Sequence, residues 1–143
     1  SMLDKTFVTK KMSLLREHVA DMEDLAMKAP VGEIRRDKIK LSAVERFFQL
    51  AVDQMVDINT HLIKSGDFGT VDDLQSTFTM LGDFGVLAVD FAKKVAPIVG
   101  VRNMLVHRYE KLDKGMFLKN LVNNFSDFKT YLIQIDEYLK KAE

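Results

Sequence analysis

Apolar residues recur at alternating spacings of three and four along most of this chain, and that periodicity is typical of amphipathic helices. Few residues interrupt it, because the 143 residues include only two prolines and seven glycines. No stretch shows the strict alternation that indicates a β-strand. The sequence therefore predicts an all-α protein, an up-and-down bundle of about four to five helices.

The predicted helices follow the apolar stripes and end at turn-forming residues. Their expected limits are about 3–29, 37 or 42 to 64, 71–81, 84–95, and a long helix that runs to the C-terminus. Thr70, with Asp73 three residues later, is interpreted as a capping box that opens the third of these helices. Asp113 is expected to cap the last one. The link 31–37 is expected to be a loop.

Length and composition exclude several classes of protein. A chain of 143 residues is expected to form one domain, from residue 3 to residue 143, with Ser1 interpreted as the remnant of an expression tag. No apolar run has the length of a membrane span, so no membrane partner is expected. Lys+Arg and Asp+Glu number 21 each, so RNA contacts would have to come from a local patch. The absence of cysteine excludes disulfides and thiolate metal sites, and it fits a cytoplasmic protein.

The segment 102–109, Arg-Asn-Met-Leu-Val-His-Arg-Tyr, is the strongest candidate for chemistry. On a helix, Arg102, Asn103 and His107 share one polar arc, while the opposite arc is apolar. Asn103 and His107 are one turn apart and are expected to touch, which would fix the imidazole tautomer. Tyr109 falls close to Arg102 around the helix. A histidine that titrates near neutrality, beside a permanent cation, suits general acid–base chemistry.

The position of this segment suggests a further anion-binding feature. Pro97 and Gly100 break or kink the chain just before it, which predicts that Arg102 lies in the first turns of a new helix. Free backbone N–H groups there would support a phosphate bound by the guanidinium.

Simpler interpretations remain open for each of these residues. A histidine on a polar helical arc is more often a solvated surface residue than a catalyst. Asp57 and His61 resemble half of a helical metal site, but no third ligand has a matching spacing. A polar face or a dimer contact is the favoured interpretation of that pair. No metal and no cofactor are expected.

The string Arg-Asn-x-Leu-Val-His-x-Tyr closely resembles the HEPN superfamily, and especially the HepT-type toxins encoded beside minimal nucleotidyltransferase antitoxins. The resemblance implies an all-α homodimer whose two motifs face each other across a cleft and cleave RNA without metal. It implies catalytic roles for Arg102 and His107 and a supporting role for Asn103. It also implies that the partner nucleotidyltransferase can adenylylate Tyr109.

Metal-free RNA cleavage needs a base for the 2′-hydroxyl, charge stabilisation at phosphorus and an acid for the leaving 5′-oxygen. His107 can be the base or the acid, and Arg102 can hold the phosphate. A symmetric dimer would supply the second histidine. The alternative is a non-catalytic helical dimer that binds nucleotide or docks a nucleotidyltransferase.

Overall fold

Eight helical segments make up the part of the chain that the structure, a computed structural model, describes: residues 2–107 and 112–142. They are α1 (Lys5–Ala26), α2 (Val31–Arg36), α3 (Lys38–Gly66), α4 (Ser76–Asp83), α5 (Val89–Val95), α6 (Ile98–Val106), α7 (Lys114–Asn123) and α8 (Phe125–Lys141). No strand occurs among those residues. The all-α prediction is confirmed, and the predicted count of four to five helices is too low. None of the described helices is long and apolar enough to cross a bilayer.

The two longest helices, α1 and α3, form an antiparallel pair. The backbone N–H of Asp4, just before α1, donates to His61 Nε2 near the end of α3 at 3.0 Å. Farther along α1, Lys11 forms a 2.7 Å ion pair with Asp57. Residues later in α1 therefore contact residues earlier in α3. This pair has the up-and-down arrangement that the sequence predicts.

One contiguous apolar cluster receives side chains from all eight helices. The apolar stripes predicted from the sequence form this cluster. On α1, for example, every predicted core position is buried. These residues are Val8, Met12, Leu15, Val19, Met22 and Ala26. Burying one Val, Leu or Met side chain contributes about 1.5–3 kcal/mol, so these stripes are the main source of the helices' stability.

A buried polar network joins α3, α4 and α8. The Tyr131 hydroxyl on α8 donates toward the Asn59 Oδ1 at 2.6 Å and lies 3.1 Å from the Met55 carbonyl oxygen. Asn59 Nδ2 donates to Thr77 Oγ1 at 3.1 Å, and Thr77 Oγ1 donates to the Leu74 carbonyl at 2.6 Å. Burial raises the pKa of Tyr131 well above its usual value, so this hydroxyl stays neutral. The network fixes the start of α4 against the two longer helices.

The expected closing helix is divided into α7 and α8. The predicted cap is confirmed, since Asp113 Oδ1 accepts from the Met116 N–H at 3.0 Å. The chain then leaves helical geometry at Asn124 (φ −125°, ψ 20°), whose side chain donates to the Asn120 carbonyl at 2.7 Å. The three–four apolar spacing continues across Asn124, so periodicity alone gave no sign of the break.

Three local predictions are wrong, and the first is the start of the helix expected over 84–95, because α5 begins only at Val89. The link 31–37 is not a loop, because α2 occupies most of it and Ile34 is buried in the core. Thr70 and Asp73 do not form a capping box. Asp73 instead accepts the backbone N–H of Ser76 at 2.7 Å, and α4 begins at Ser76, five residues later than predicted. The N-cap of α4 is Gln75, which makes no side-chain capping hydrogen bond, so Asp73 supports the turn just before the helix.

Candidate active site

The candidate site is built on the short helix α6, which lies between Pro97 and His107. Arg102 is its fifth residue and His107 is its C-terminal cap. Arg102 therefore lies in the second turn, within the first turns that the sequence predicted. The expected free N–H groups differ, because those of Val99 and Gly100 already donate to the carbonyls of Ala96 and Pro97. Pro97 is itself helical (φ −61°, ψ −11°), so the helix begins immediately after the proline instead of after Gly100.

Arg102 is held against α3 by Asp53. Its Nε donates to Asp53 Oδ1 at 3.0 Å across 49 positions of sequence, and both side chains are partly exposed. The Arg102 NH1 group points toward Asn103 Oδ1 at 3.4 Å. These contacts fix the plane of the guanidinium and leave N–H groups on its terminal nitrogens that no other described residue is shown to occupy. Terminal N–H groups of a guanidinium are donors that suit phosphate oxygens.

The described side-chain contact of Asn103 is with Arg102. Its side-chain oxygen accepts from the Arg102 guanidinium, and its described link to His107 is the helical hydrogen bond from His107 N to the Asn103 carbonyl, at 3.0 Å. The structure therefore associates the Asn103 side chain with the cation. A role in orienting the imidazole stays a prediction.

His107 lies at the exposed end of α6, one residue beyond the last helical position. Arg102 and His107 thus belong to one helical segment of nine residues and its C-terminal cap. Tyr109, the third residue of the motif, lies outside the described residues.

The sequence did not predict the contact of Asp53 with Arg102. Asp53 was visible as an acidic residue one turn before Asp57, but spacing reports only neighbours on the same helix. The contact with Arg102 depends on how α6 packs on α3.

Asp57 and His61 have partners on α1. Asp57 pairs with Lys11, and His61 accepts the Asp4 N–H while its ring lies 5.0 Å from the ring of Phe7. Over the described ranges 2–107 and 112–142, no group of His, Asp and Glu is arranged to hold a metal ion. This pair therefore connects α1 to α3.

The family described as "Ribonuclease HepT-like" matches residues 15–135, which include the whole candidate site. The chain belongs to this family. The resemblance inferred from the 102–109 segment is thereby confirmed, and the family is one of RNA-cleaving enzymes.

Two sequence relatives are named as nucleases. The tRNA nuclease HepT of Aphanizomenon flos-aquae is 27% identical over 127 residues, which are 89% of this chain and 84% of that protein. The mRNA nuclease HepT of Shewanella oneidensis is 21% identical over 101 residues, 71% of this chain and 76% of that protein.

A solved structure shares the fold. It is the tri-AMPylated HEPN toxin of Shewanella oneidensis in complex with its MNT antitoxin, with a TM-score of 0.85 and 17% identity, over 94% of this chain and 99% of that one. The HEPN-like fold expected from the sequence is confirmed by this likeness.

Proposed function

We propose that this protein is the toxin of a toxin–antitoxin pair, and that it cleaves RNA without a metal ion at a site formed by Arg102 and His107. The observation that carries the proposal is the geometry of α6. A guanidinium anchored at its Nε by Asp53 presents its terminal nitrogens, and an exposed imidazole follows at the end of the same helix.

The division of labour follows from the chemistry of each group. Arg102 binds the scissile phosphate and stabilises the charge that develops at phosphorus. His107 removes the proton from the 2′-hydroxyl, or donates one to the leaving 5′-oxygen. Asn103 holds the NH1 side of the guanidinium. These roles need no metal-bound water.

A homodimer completes the acid–base pair. One chain carries a single histidine in the motif, whereas cleavage needs both a base and an acid. Two copies of α6 placed across a two-fold axis would provide two histidines and two arginines. Light scattering is expected to give twice the chain mass of 16.4 kDa, and a mass near 16.4 kDa would contradict the dimer.

The experiment that tests the proposed activity uses purified protein and RNA in excess EDTA. We expect cleavage to persist, because none of the proposed steps involves a metal. A non-catalytic binding module would shift RNA or nucleotide in a binding assay and leave the RNA intact. Intact RNA under conditions where the protein is folded would therefore favour that alternative.

Asp53 is expected to act as a positioning residue for Arg102. In Asp53→Asn the side chain keeps its shape but loses the charge that orients Nε. We expect kcat on a defined RNA oligonucleotide to fall about 10- to 100-fold, because the guanidinium is no longer fixed in the geometry of attack. KM should change little, because the positive charge of Arg102 remains and is less neutralised.

The matched control is Asp57→Asn, one turn along α3, which removes the ion pair with Lys11 instead. Both variants lose one partly exposed ion pair, so their unfolding midpoints should shift by similar small amounts. Equal kcat values for Asp53→Asn and Asp57→Asn would show that Asp53 has a structural role only.

The proposed partners are an RNA substrate and a nucleotidyltransferase antitoxin. The fold likeness to a toxin solved with its MNT antitoxin supports the second. We further propose that Tyr109 is the residue that such an enzyme adenylylates. A cytoplasmic location is proposed on the same basis.

A further inference from the structure

A second concave surface lies beside the candidate active site, between the start of α4 and the first half of α6. It is a pocket of about 400 Å³. Gln75, Ser76 and Thr79 line one side, and Gly100 and Asn103 line the other. Its volume lies within the range of about 300–1,000 Å³ that is usual for small-ligand pockets. We refer to it as the Asn103 pocket.

Asn103 connects this pocket to the proposed phosphate site. The same side chain lines the pocket and accepts a hydrogen bond from the Arg102 NH1 group. A group bound in the pocket is therefore separated from the guanidinium by one side chain. In RNA, a base is attached to the sugar next to each phosphate, so the pocket lies where a flanking base would reach.

Asp73 and Thr79 present hydrogen-bond acceptors to the pocket, whereas Asn103, whose side-chain oxygen accepts from Arg102, has amide N–H groups as donors. Asp73 lies on the rim, and the backbone N–H of Ser76 that it accepts lowers the pKa of its carboxyl group, which keeps it charged. Thr79 Oγ1 uses its proton on the Ser76 carbonyl at 3.1 Å, so toward a ligand its oxygen accepts. A carboxylate at the rim repels phosphate. Acceptors of this kind suit an exocyclic amino group of a base.

The remaining walls are apolar and suit the face of a base. Leu74 lines the mouth of the pocket and is 51% exposed, although it is a large aliphatic residue. Val99 also lines the pocket and is itself buried. Proteins that read single-stranded RNA commonly place bases against apolar or aromatic side chains while polar groups bind the base edge.

Gly100 contributes only backbone to the pocket wall. It lies within α6, where glycine is less favourable than alanine. A Cβ atom built at Gly100 meets no heavy atom within 4 Å outside the backbone of its own helix and its chain neighbours, so no clash requires glycine here. Its missing side chain therefore leaves space that faces the pocket.

We propose that the Asn103 pocket binds the base of the nucleotide that flanks the scissile phosphate, and that it prefers adenine, cytosine or guanine over uracil. The preference follows because only the first three carry an exocyclic amino group. This inference rests on the proposed ribonuclease function for its biological meaning, but binding of a base can be measured without cleavage.

The test is an NMR titration of the wild-type protein with AMP, CMP, GMP and UMP at millimolar concentration. We expect saturable shifts at the backbone amides of Gln75, Thr79 and Gly100. UMP should bind about 2- to 10-fold more weakly than the other three, the difference that one hydrogen bond typically makes.

Three variants sharpen this test. Gly100→Leu should fill the pocket and abolish the shifts, whereas Gly115→Ala on α7, with ordinary contacts around its added Cβ, should leave them unchanged. Asp73→Asn keeps a side-chain oxygen that can accept the Ser76 N–H but adds an amide donor, so the affinity for UMP should rise relative to that for the other nucleotides.

Each outcome separates this inference from the proposed function. Intact RNA combined with specific shifts in the pocket would refute the nuclease and retain the base site. Cleaved RNA combined with no saturable shifts, with equal affinity for all four nucleotides, or with unchanged binding in Gly100→Leu would overturn the base site. If the wild-type protein cleaves RNA, sequencing of the fragments should show that uridine is depleted at one position next to the cleavage site. In the Asp73→Asn variant, uridine should again occur at that position.

Discussion

His107→Ala protein is expected to lose RNA cleavage by about 10²- to 10⁴-fold, and Arg102→Ala by about 10²- to 10³-fold. The first loses the group that transfers protons, and the second loses the charge that stabilises the transition state. Neither change opens a core cavity, because His107 is exposed and the Arg102 side chain is partly exposed. The unfolding midpoint of each variant should stay close to that of the wild type.

The chain provides matched controls for both substitutions. His18→Ala removes a histidine from α1, and Arg46→Ala removes an exposed arginine from α3 whose described contact is a 3.4 Å hydrogen bond to Gln49. Initial cleavage rates of the four variants are compared on one RNA under one set of conditions. If Arg102→Ala or His107→Ala is folded and retains the rate of its control, the role assigned to that residue is wrong.

Adenylylation of Tyr109 is expected to inhibit the protein almost completely. An AMP group two residues beyond His107 would bring a negative charge and a bulky nucleotide next to the proposed phosphate site. By the electrostatic logic that governs phosphorylation, it would compete with RNA phosphate for Arg102. Incubation with the cognate nucleotidyltransferase, ATP and magnesium should therefore add at least one adenylyl group, visible as an increase in intact mass, and stop cleavage.

The other two tyrosines help to locate this modification. Tyr131 is fully buried and its hydroxyl contacts Met55 and Asn59, so an external enzyme cannot reach it in the folded protein. Tyr138 on α8 is partly exposed and serves as the control position. Tyr109→Phe should abolish the mass increase and Tyr138→Phe should not. AMP addition that persists in Tyr109→Phe would contradict the assignment.

The sequence predicts well what depends on neighbours along one helix. The stripe from Val8 to Ala26 identified one face of α1, and all six of its predicted core residues are buried. Asp113 was recognised as a cap because its partner is three residues away. In both cases the decisive contacts are local or follow from the helical period.

What the sequence did not predict depends on contacts between distant segments. The break at Asn124 lies inside an uninterrupted apolar stripe, so only the packing of α7 and α8 reveals it. Asp53 acquires its candidate role through an arginine 49 residues away.

The chemistry of the RNA ends tests the central claim most directly, namely that His107 and Arg102 promote attack of the 2′-hydroxyl on the adjacent phosphorus. A defined RNA oligonucleotide is incubated with the wild-type protein in EDTA, and its fragments are weighed by mass spectrometry. We expect a 2′,3′-cyclic phosphate on one fragment and a 5′-hydroxyl on the other, since the 2′-oxygen displaces the 5′-oxygen without consuming water. Fragments with 5′-phosphate ends, or cleavage that appears only when magnesium is restored, would contradict the mechanism.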